Sequence, residues 1–568
     1  MKFPGINSIV VLLAAALIVQ GLHAIRSNSL TFDEPSYVAQ GIAQYQSGDF
    51  DFGKGNPPLL KYFAGTLPYL MGIRLPNEYV TGFDKPDAVE FQILFKSTIP
   101  PKDMIFLSRL PALILMVLTA LLVFVWGRRL YGEKAALFSL FLFAFYPIIL
   151  AHGTLAALDM GTAFFVFLSA FLFWRFWEKP SMRSFAFMGV ATGMAIASKM
   201  AGTHLFAMYG ILLLAAYLKK MPLPKFWKLK KMRGAKYALC LFILLALISG
   251  FIVLATYQFK VGAVYPKGIN KYVPNEGIFS NATAVGKIVH FALEEATVPF
   301  NFYIRDIALQ FIHQKDPQVN YLFGEIHTSG IWYYYIIAIL LKSPIPFIIF
   351  LIAAVYSVRK AGIRFEELFL LVPIIFIFIY FSFLVPINTG VRYILSLFPF
   401  LFVFMGRIFQ GKQPDGLFNG GKIHIGLFSI LAIWYAISAL AASPFYIPYF
   451  NELAGGADNG YKFLSQSDLD WGQSDFALKE YIDANGIQSV KYSYYGSVPP
   501  QYYGIKHELL PSGFGRGGEE CSPTTGTIAI SASNLNGNIL RNHDCYKWLR
   551  GITPTAKVGH VIFIYDLK

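Results

Sequence analysis

The sequence predicts a polytopic α-helical membrane protein that ends in a small extracytoplasmic α/β domain. Of its 568 residues, 55% are hydrophobic and only 14% are charged. Soluble domains carry about 25% charged residues, so an ordinary soluble enzyme is excluded. The 54 Phe and 33 Tyr exclude a disordered chain, which has few aromatic residues. Long apolar runs fill the first three quarters of the chain, and the remainder changes to a mixed composition.

The apolar runs predict about eleven transmembrane helices, since each is long enough to cross a hydrocarbon core of about 30 Å. They lie near residues 8–26, 105–127, 135–151, 158–177, 184–198, 203–218, 237–257, 332–356, 367–386, 391–406 and 424–443. We therefore expect a membrane domain over residues 1–443, with large loops at about 27–104 and 259–331, and a soluble domain over 444–568.

The formal net charge of +15 predicts the orientation of these helices. The basic excess lies in alternate loops, at 127–135, 174–184, 218–236, 357–367 and 406–423. One of them, 218–236, has eight Lys or Arg residues and no acid. The positive-inside rule makes these loops cytoplasmic. The N-terminus is then cytoplasmic in a cell (inner or plasma) membrane, the large loops and the C-terminal domain are extracytoplasmic, and no nucleic-acid partner is expected.

The C-terminal region reads as a mixture of strands and one helix. The segments "SVKYSYYG", "GTIAISAS" and "VGHVIFIYDL" have strand patterns, and "SDFALKEYIDANG" predicts a helix that ends near Gly486. Cys521 and Cys545 lie in this region and could pair if it is extracytoplasmic; free thiols are an equal alternative. The motif "DLDWGQ", with Asp468, Asp470 and Trp471, could bind sugar or could serve packing.

The first large loop begins with two acids and continues to a lysine. Asp33 and Glu34 follow the first apolar run in "TFDEPSY", directly before a helix that Pro35 can open. They could cap that helix or do chemistry. Lys61, in "GNPPLLKYF", could be an interfacial lysine that extends its ammonium to water or could bind an anion.

Three further ionisable residues lie at the outer ends of predicted spans. Asp159 occurs in "LDMGTAFF", Lys199 in "IASKMAG" and Arg392 in "NTGVRYILSLFPF". Alone, each cation could be an interfacial anchor, but ionisable side chains at span ends are functional candidates. With the first loop they form two carboxylate sites and three cations on one face. Cations suit a phosphate, and a carboxylate suits removal of a proton from a nucleophile.

The elements "FDEPSY", "NPPLLK", "LDM" and "SK" resemble the polyprenyl-phosphate-dependent glycosyltransferases of the GT-C fold. The protein O-mannosyltransferases and the lipid A aminoarabinose transferases are the most similar groups, and the resemblance covers about residues 1–410. By this resemblance Asp33, Glu34 and Asp159 are the catalytic acids, and Lys61, Lys199 and Arg392 face the donor phosphate. The chain departs from the mannosyltransferase pattern at Asn56, which replaces a histidine, and at Leu60, which replaces a glycine.

The resemblance implies an inverting transfer. The donor is a polyprenyl-phosphate sugar, the acceptor is a protein, a lipid or a glycan, and the membrane lipid is a further partner. Asp33 is the general base on the acceptor, and the cations stabilise the leaving phosphate. No cofactor is implied, and no metal is expected because the sequence has no ligand cluster of zinc spacing.

Two other function classes remain open from the sequence. A transporter or flippase for a lipid-linked or small solute also has many spans with charged residues. Transporters, however, usually carry repeated halves and charges near mid-membrane, and this chain shows neither pattern. The other alternative is a non-catalytic assembly protein whose C-terminal domain binds a partner.

Overall fold

The computed structural model describes residues 5–53, 55–81, 85, 88–224, 234–265, 283–315, 319–409, 422–518 and 520–568. Its helices up to residue 441 are α1 (Ile6–Ser27), α2 (Glu34–Gln46), α3 (Leu59–Leu70), α4 (Val89–Phe95), α5 (Pro101–Tyr131), α6 (Glu133–Ala144), α7 (Pro147–His152), α8 (Leu158–Glu178), α9 (Met182–Ser198), α10 (His204–Leu218), α11 (Gly234–Thr256), α12 (Ala284–His290), α13 (Asn301–Lys315), α14 (Tyr334–Lys342), α15 (Ile345–Ala361), α16 (Leu368–Ile379), α17 (Phe398–Met405) and α18 (Lys422–Ala441).

Seven helices among the described residues are long and apolar enough to cross a membrane. They are Ile6–Ser27, Pro101–Tyr131, Leu158–Glu178, Met200–Leu218, Lys236–Thr256, Phe365–Leu384 and Val391–Phe409. An eighth span would combine Tyr334–Lys342 with Ile345–Ala361, two helices bent by 118°. A multi-pass membrane protein is therefore confirmed, but the count of eleven is not.

The difference in count has a local cause in each remaining apolar run. The run at 135–151 is broken after α6, and Pro147 opens the short helix α7; a proline there cannot continue the preceding helix. The run at 184–198 forms α9, which has 17 residues, and the run at 424–443 contains the apolar helix Ile425–Ala441. Each run is helical, but each helix is short for a membrane of about 30 Å.

The first large loop is folded onto the membrane helices through α2 and α3. These two helices touch along their backbones, because Gly41 of α2 lies directly against Gly65 of α3. A Cβ atom added to Gly41 would come within 2.0 Å of the carbonyl oxygen of Lys61. The close approach fixes the angle between the two helices and hence the start of α2, where Asp33 lies.

The second large loop is described in part, because residues 266–282 and 316–318 lie outside the described residues. Its described portion contains α12, α13 and a hairpin of β1 (Asn320–Leu322) and β2 (Glu325–His327). The two large loops are joined by an ion pair between Arg305 and Asp51 at 2.6 Å. They are also joined where the amide of Gly55 donates to Asp306 at 2.8 Å.

The C-terminal region has the mixed α/β structure that its sequence predicts. A five-stranded sheet has the order β4-β3-β5-β7-β6. The strands are β3 (Val490–Ser493), β4 (His507–Leu509), β5 (Gly526–Ser531), β6 (Ala556–Val558) and β7 (Ile562–Leu567), and the helices are α19 (Asp475–Ala484) and α20 (Ala532–Asn536). Strand β3 is parallel to β4 and β5, whereas β7 is antiparallel to β5 and β6.

Cys521 and Cys545 form a disulfide, so of the two alternatives that the sequence left open, the structure has the paired one. The bridge joins the segment that precedes β5 to the segment that precedes β6. Cys240, in α11, is a free thiol.

Replacement of both Cys521 and Cys545 by alanine should destabilise the C-terminal domain by about 2–4 kcal/mol, since the closed loop restricts the unfolded chain. Thermal unfolding of the purified protein, followed by proteolysis of this domain, measures the effect. The Cys240→Ala variant is the control and should unfold like the wild type. If the wild type, the double alanine variant and Cys240→Ala were equally resistant to heat and to proteolysis, a stabilising role for the disulfide would be contradicted.

Candidate functional site

Four of the predicted site residues meet at one end of the membrane helices. Arg392 Nη1 lies 3.2 Å from Asp33 Oδ2 and 3.5 Å from Asp159 Oδ2. Lys199 Nζ lies 2.8 Å from Asp159 Oδ1. The four side chains form a continuous chain of ion pairs, Asp33–Arg392–Asp159–Lys199, which we call the ion quartet. Residues that are up to 359 positions apart in the sequence are therefore adjacent in space.

Local structure explains how each member of the quartet reaches this place. Asp33 directly precedes α2, and its side chain makes no capping hydrogen bond to that helix. Asp159 lies in the first turn of α8, where the helix dipole favours a negative charge. Lys199 is the first residue after α9, and Arg392 lies in the 3₁₀ turn Val391–Leu397 that leads into α17. Each residue is at the end of a helix or turn, where its side chain is free to leave the helix packing.

Burial makes the quartet depend on its own pairing. The side chain of Asp159 is only 3% exposed, that of Arg392 15% and that of Asp33 26%. A buried charge is costly unless it is paired, and two carboxylates balance two cations here. Burial raises the pKa of Asp33 above its usual range, while the positive charge of Arg392 opposes that rise. Of the two carboxylates, Asp33 is the more exposed.

A cavity of about 610 Å³ opens beside the quartet. Its lining includes Asp33 and Arg392 of the quartet but not Asp159 or Lys199. The remaining wall comes from the residue of the second loop that precedes β1, from the turn before Arg392 and from the C-terminal domain. The lining residues are Phe32, Asp33, Val319, Ile387, Thr389, Arg392, Tyr393, Gln466, Ser467, Trp471, Tyr495, Asn538, Ile539, Leu540, Arg541 and His543.

The "DLDWGQ" motif contributes to this wall mainly through packing. The guanidinium of Arg392 lies 4.2 Å from the centroid of the Trp471 ring, within cation–π range. Trp471 is only 2% exposed, so Arg392 and the protein interior cover most of its surface. Asp468 and Asp470 are also buried. Of the two alternatives for this motif, the structure favours packing over direct sugar binding.

Glu34, the second predicted catalytic acid of the first loop, does not line the cavity. Its carboxylate is fully buried and pairs with Arg109 at 2.7 Å. It also accepts hydrogen bonds from the amides of Thr31 and Ala156 at 2.8 and 2.7 Å. Burial alone would raise the pKa of Glu34, but the charge and hydrogen bonds of Arg109 bring it below the usual value. Glu34 therefore joins the segment before α2 to the segment before α8, and its catalytic role stays a prediction.

Lys61, predicted to face the donor phosphate, is not part of the quartet, and its phosphate-binding role stays a prediction. Its side chain is buried, and Nζ donates to the carbonyl oxygens of Gly53 and Asn56 at 2.7 and 2.6 Å. Burial lowers the pKa of Lys61 to about 8, although nearby Asp306 opposes the shift. The ammonium is committed to the turn that precedes α3, so in this structure Lys61 stabilises the first loop and does not face the cavity.

Sequence reasoning missed several residues of this region. Arg109 lies within a predicted span, and a charge inside an apolar run is itself a signal. Tyr495, Arg541 and His543 of the cavity wall carried no such signal, since nothing local connects them with the membrane helices. Across the described residues, no group of three or more His, Cys, Asp and Glu side chains could hold a metal ion.

The comparisons with known proteins agree with this region of the structure. Residues 92–254, which include Asp159 and Lys199, match the family model of the dolichyl-phosphate-mannose-protein mannosyltransferases. The protein is a glycosyltransferase. The match confirms two predictions from the sequence: the glycosyltransferase class, and the resemblance to this group of enzymes that the motifs at the span ends indicate. No curated protein matches the glycosyltransferase chain.

Several solved structures resemble the glycosyltransferase at low sequence identity. ArnT from Cupriavidus metallidurans in the apo state has a TM-score of 0.48 and 14% identity, with 98% of both chains covered. The archaeal oligosaccharyltransferase AglB from Archaeoglobus fulgidus has a TM-score of 0.45 and 14% identity, over 77% of this chain and 56% of its own. The protein O-mannosyltransferase Pmt1-Pmt2 complex of S. cerevisiae has a TM-score of 0.31 and 20% identity, over 46% and 33%.

The Glu34→Gln variant should lose about 3–5 kcal/mol of stability, because it leaves the buried guanidinium of Arg109 without its counter-ion. Thermal unfolding in detergent measures the loss. The matched control is Glu133→Gln, which breaks the exposed pair with Arg128 and should cost less than about 1 kcal/mol. A stable Glu34→Gln protein that has lost only its transferase activity would instead favour a catalytic Glu34.

Proposed function

We propose that the glycosyltransferase moves a sugar from a polyprenyl-phosphate donor to an acceptor at the cavity beside the ion quartet. The observation that carries this proposal is the position of Asp33 and Arg392, 3.2 Å apart on one cavity wall. A proton acceptor and a phosphate partner thereby face the same space. The donor's polyprenyl chain would remain in the bilayer at the helix ends.

Arg392, which lines the cavity, is the proposed partner of the donor phosphate, and Lys199, which is paired with Asp159, adds a second positive charge nearby. Arginine can hold phosphate through two parallel hydrogen bonds, and lysine supplies a compact positive charge. Their fixed charges would stabilise the negative charge that develops on the phosphate as the bond to the sugar breaks. Asp159 contacts both cations, so its role in this proposal is to orient them and not to touch the sugar.

Asp33 is the proposed general base. The acceptor's nucleophile attacks the anomeric carbon from the side opposite the phosphate, forms the new bond and inverts the configuration. Its proton passes to Asp33, and the bonding electrons of the broken bond leave with the polyprenyl phosphate. The raised pKa of Asp33, caused by burial, favours this transfer, because a base is most effective when its pKa approaches the working pH.

The acceptor is a protein, a lipid or a glycan in this proposal, and it enters past the C-terminal domain. The wall there carries Asn538, Arg541 and His543, so it offers polar and positively charged groups to an acceptor. The cavity of about 610 Å³ falls in the range of ordinary ligand pockets, which leaves space for an acceptor beside a donor sugar.

The site is proposed to face away from the cytoplasm. Asp159 lies in the first turn of α8 and Arg175 in its last turn, a separation of about 24 Å along the axis. Arg175 belongs to one of the basic loops that the positive-inside rule assigns to the cytoplasm. A transporter, the alternative from the sequence, would more typically carry its charges near mid-membrane, whereas the quartet lies at helix ends.

The Asp33→Asn variant should lose transfer activity by about 10²–10⁴-fold, because the amide cannot accept the proton. The measurement is release of undecaprenyl phosphate from a panel of undecaprenyl-phosphate-linked sugars by membranes that contain the protein. Asp103→Asn is the control, since Asp103 is an exposed acid in the first turn of α5. Full activity of Asp33→Asn at normal expression would remove Asp33 as the base.

The Arg392→Gln variant should shift the acid limb of the pH profile of kcat/KM to higher pH, by about one unit or more. Arg392 lowers the pKa of Asp33, so its removal raises that pKa, and the basic form is then lost at a higher pH. The residual activity of the variant across pH 4–8 measures the shift. Arg183→Gln changes an exposed arginine in the first turn of α9 and should leave the limb in place; an unmoved limb in Arg392→Gln would contradict the assignment.

A further inference from the structure

The segment Ser467–Gln473 of the C-terminal region touches both loops that carry the cavity-facing charges. We call it the bracket segment. It follows the membrane domain in sequence and leads into α19. Its contacts lie on one side with the turn before Arg392 and on the other side with the segment before Asp33.

On the Arg392 side, the bracket segment holds both backbone and side chain. Asp468 Oδ1 accepts a hydrogen bond from the amide of Val391 at 2.9 Å. Ser467 Oγ accepts from Arg392 Nε at 3.2 Å and donates to the carbonyl oxygen of Thr389. The Nε atom and the backbone are thus fixed, which leaves Nη1 of Arg392 for Asp33 and Asp159.

The backbone beside Arg392 is fitted to this contact through a glycine. Gly390 has φ +143°, and a Cβ atom there would lie 2.3 Å from Ser467 Oγ and 3.3 Å from Asp468 Oδ1. Only glycine adopts this φ readily and also leaves room for the neighbouring oxygens. The turn before Arg392 and the bracket segment are therefore in direct contact at Gly390, with no room for a side chain between them.

On the Asp33 side, the contacts run between backbones. The amide of Phe32 donates to the carbonyl oxygen of Trp471 at 2.9 Å, and that of Ser29 donates to Gln473 at 3.0 Å. Ser29 Oγ also donates to the carbonyl oxygen of Gly472 at 2.9 Å. The residue directly before Asp33 is therefore attached to the residue whose ring lies over Arg392.

The bracket segment is itself anchored to a third element, α14. Tyr334 donates to Asp468 Oδ2 at 2.7 Å. Lys342 Nζ donates to the carbonyl oxygens of Asp468 and Ile447. Because these groups are buried, the hydrogen bonds are not exchanged readily for water, and the segment is held in one position.

We propose that the bracket segment positions Arg392, with Ser467 and Asp468 acting on the donor phosphate through Arg392. The inference rests on the proposed function for the identity of the ligand. A free arginine side chain has about 2 kcal/mol of rotamer entropy to lose, and the contacts of Arg392 with Ser467 and with the Trp471 ring remove that freedom before the donor arrives.

The first experiment needs no ligand and uses hydrogen exchange of the full-length protein. Asp468→Ala should increase exchange over residues 389–395, because the amide of Val391 loses its acceptor. Asp468→Asn should restore protection, since the amide oxygen can still accept that hydrogen bond. If Asp468→Ala does not fold, Gly390→Ala is the alternative variant, because the added methyl group would push the turn before Arg392 away from the bracket segment. Unchanged exchange in these disrupting variants would overturn the inference.

The second experiment is a double-mutant cycle with undecaprenyl phosphate as the probe. Ser467→Ala should weaken binding about 3–10-fold in the wild-type background and not at all in the Arg392→Ala background, because contacting residues in one network are not additive. The matched control is Ser474→Ala, a buried serine just beyond the bracket segment, which should bind like the wild type. Additive losses would show that Ser467 acts by another route and would overturn the inference.

The two experiments separate this inference from the proposed function. If Arg392→Ala leaves the affinity for undecaprenyl phosphate unchanged while exchange over 389–395 rises in Asp468→Ala, the phosphate role of Arg392 falls and its positioning by the bracket segment stands. Increased exchange in Asp468→Ala together with a non-additive double-mutant cycle supports both the positioning of Arg392 by the bracket segment and the binding of phosphate by Arg392.

Discussion

The guanidinium of Arg392, shared between Asp33 and Asp159, is the interaction on which the arrangement of the site depends. In a poorly solvated region an uncompensated charge costs several kcal/mol, so the loops that carry these residues must approach one another. A second buried pair, Glu34 with Arg109, lies next to it in sequence and fixes the segment from which Asp33 projects. One acid of the pair "DE" thus supports the structure, while its neighbour faces the cavity.

The C-terminal domain is part of the site. It supplies one wall of the cavity, the aromatic ring on which Arg392 lies, and the bracket segment that contacts both charged loops. A domain that only bound a partner would have no need to accept the amide of Phe32 or of Val391. The C-terminal region is therefore joined to the two loops that carry Asp33 and Arg392, and it is more than an appended module.

The sequence predicted the features that depend on local pattern. Apolar runs located the helices, and charges at the ends of those runs located Asp33, Asp159, Lys199 and Arg392, whose side chains do meet. Their chemical roles remain predictions. The C-terminal strands and α19 were also recognisable, because alternation and turn residues are local signals.

The sequence failed where the outcome depends on a distant partner or on the direction of a side chain. Glu34 is structural because Arg109, 75 positions away, meets it inside the protein. The ammonium of Lys61 donates to the carbonyl oxygens of Gly53 and Asn56. The sequence motif around Lys61 does not show whether its side chain points to these oxygens or to the cavity. The eleven apolar runs correspond to only seven long helices among the described residues. The sequence overestimated the number because a proline break or a short helix hardly changes the average hydropathy of a run.

The attachment of Phe32 to Trp471 has a consequence for biosynthesis. The two residues are separated by most of the polypeptide, so a chain that is still being made has its first charged loop in place long before the segment that fastens it. The pocket wall can be complete only when the last hundred or so residues have been made and have folded against the rest of the protein. A chain that ends before Trp471 would therefore lack both this attachment and the part of the pocket wall that the C-terminal region supplies.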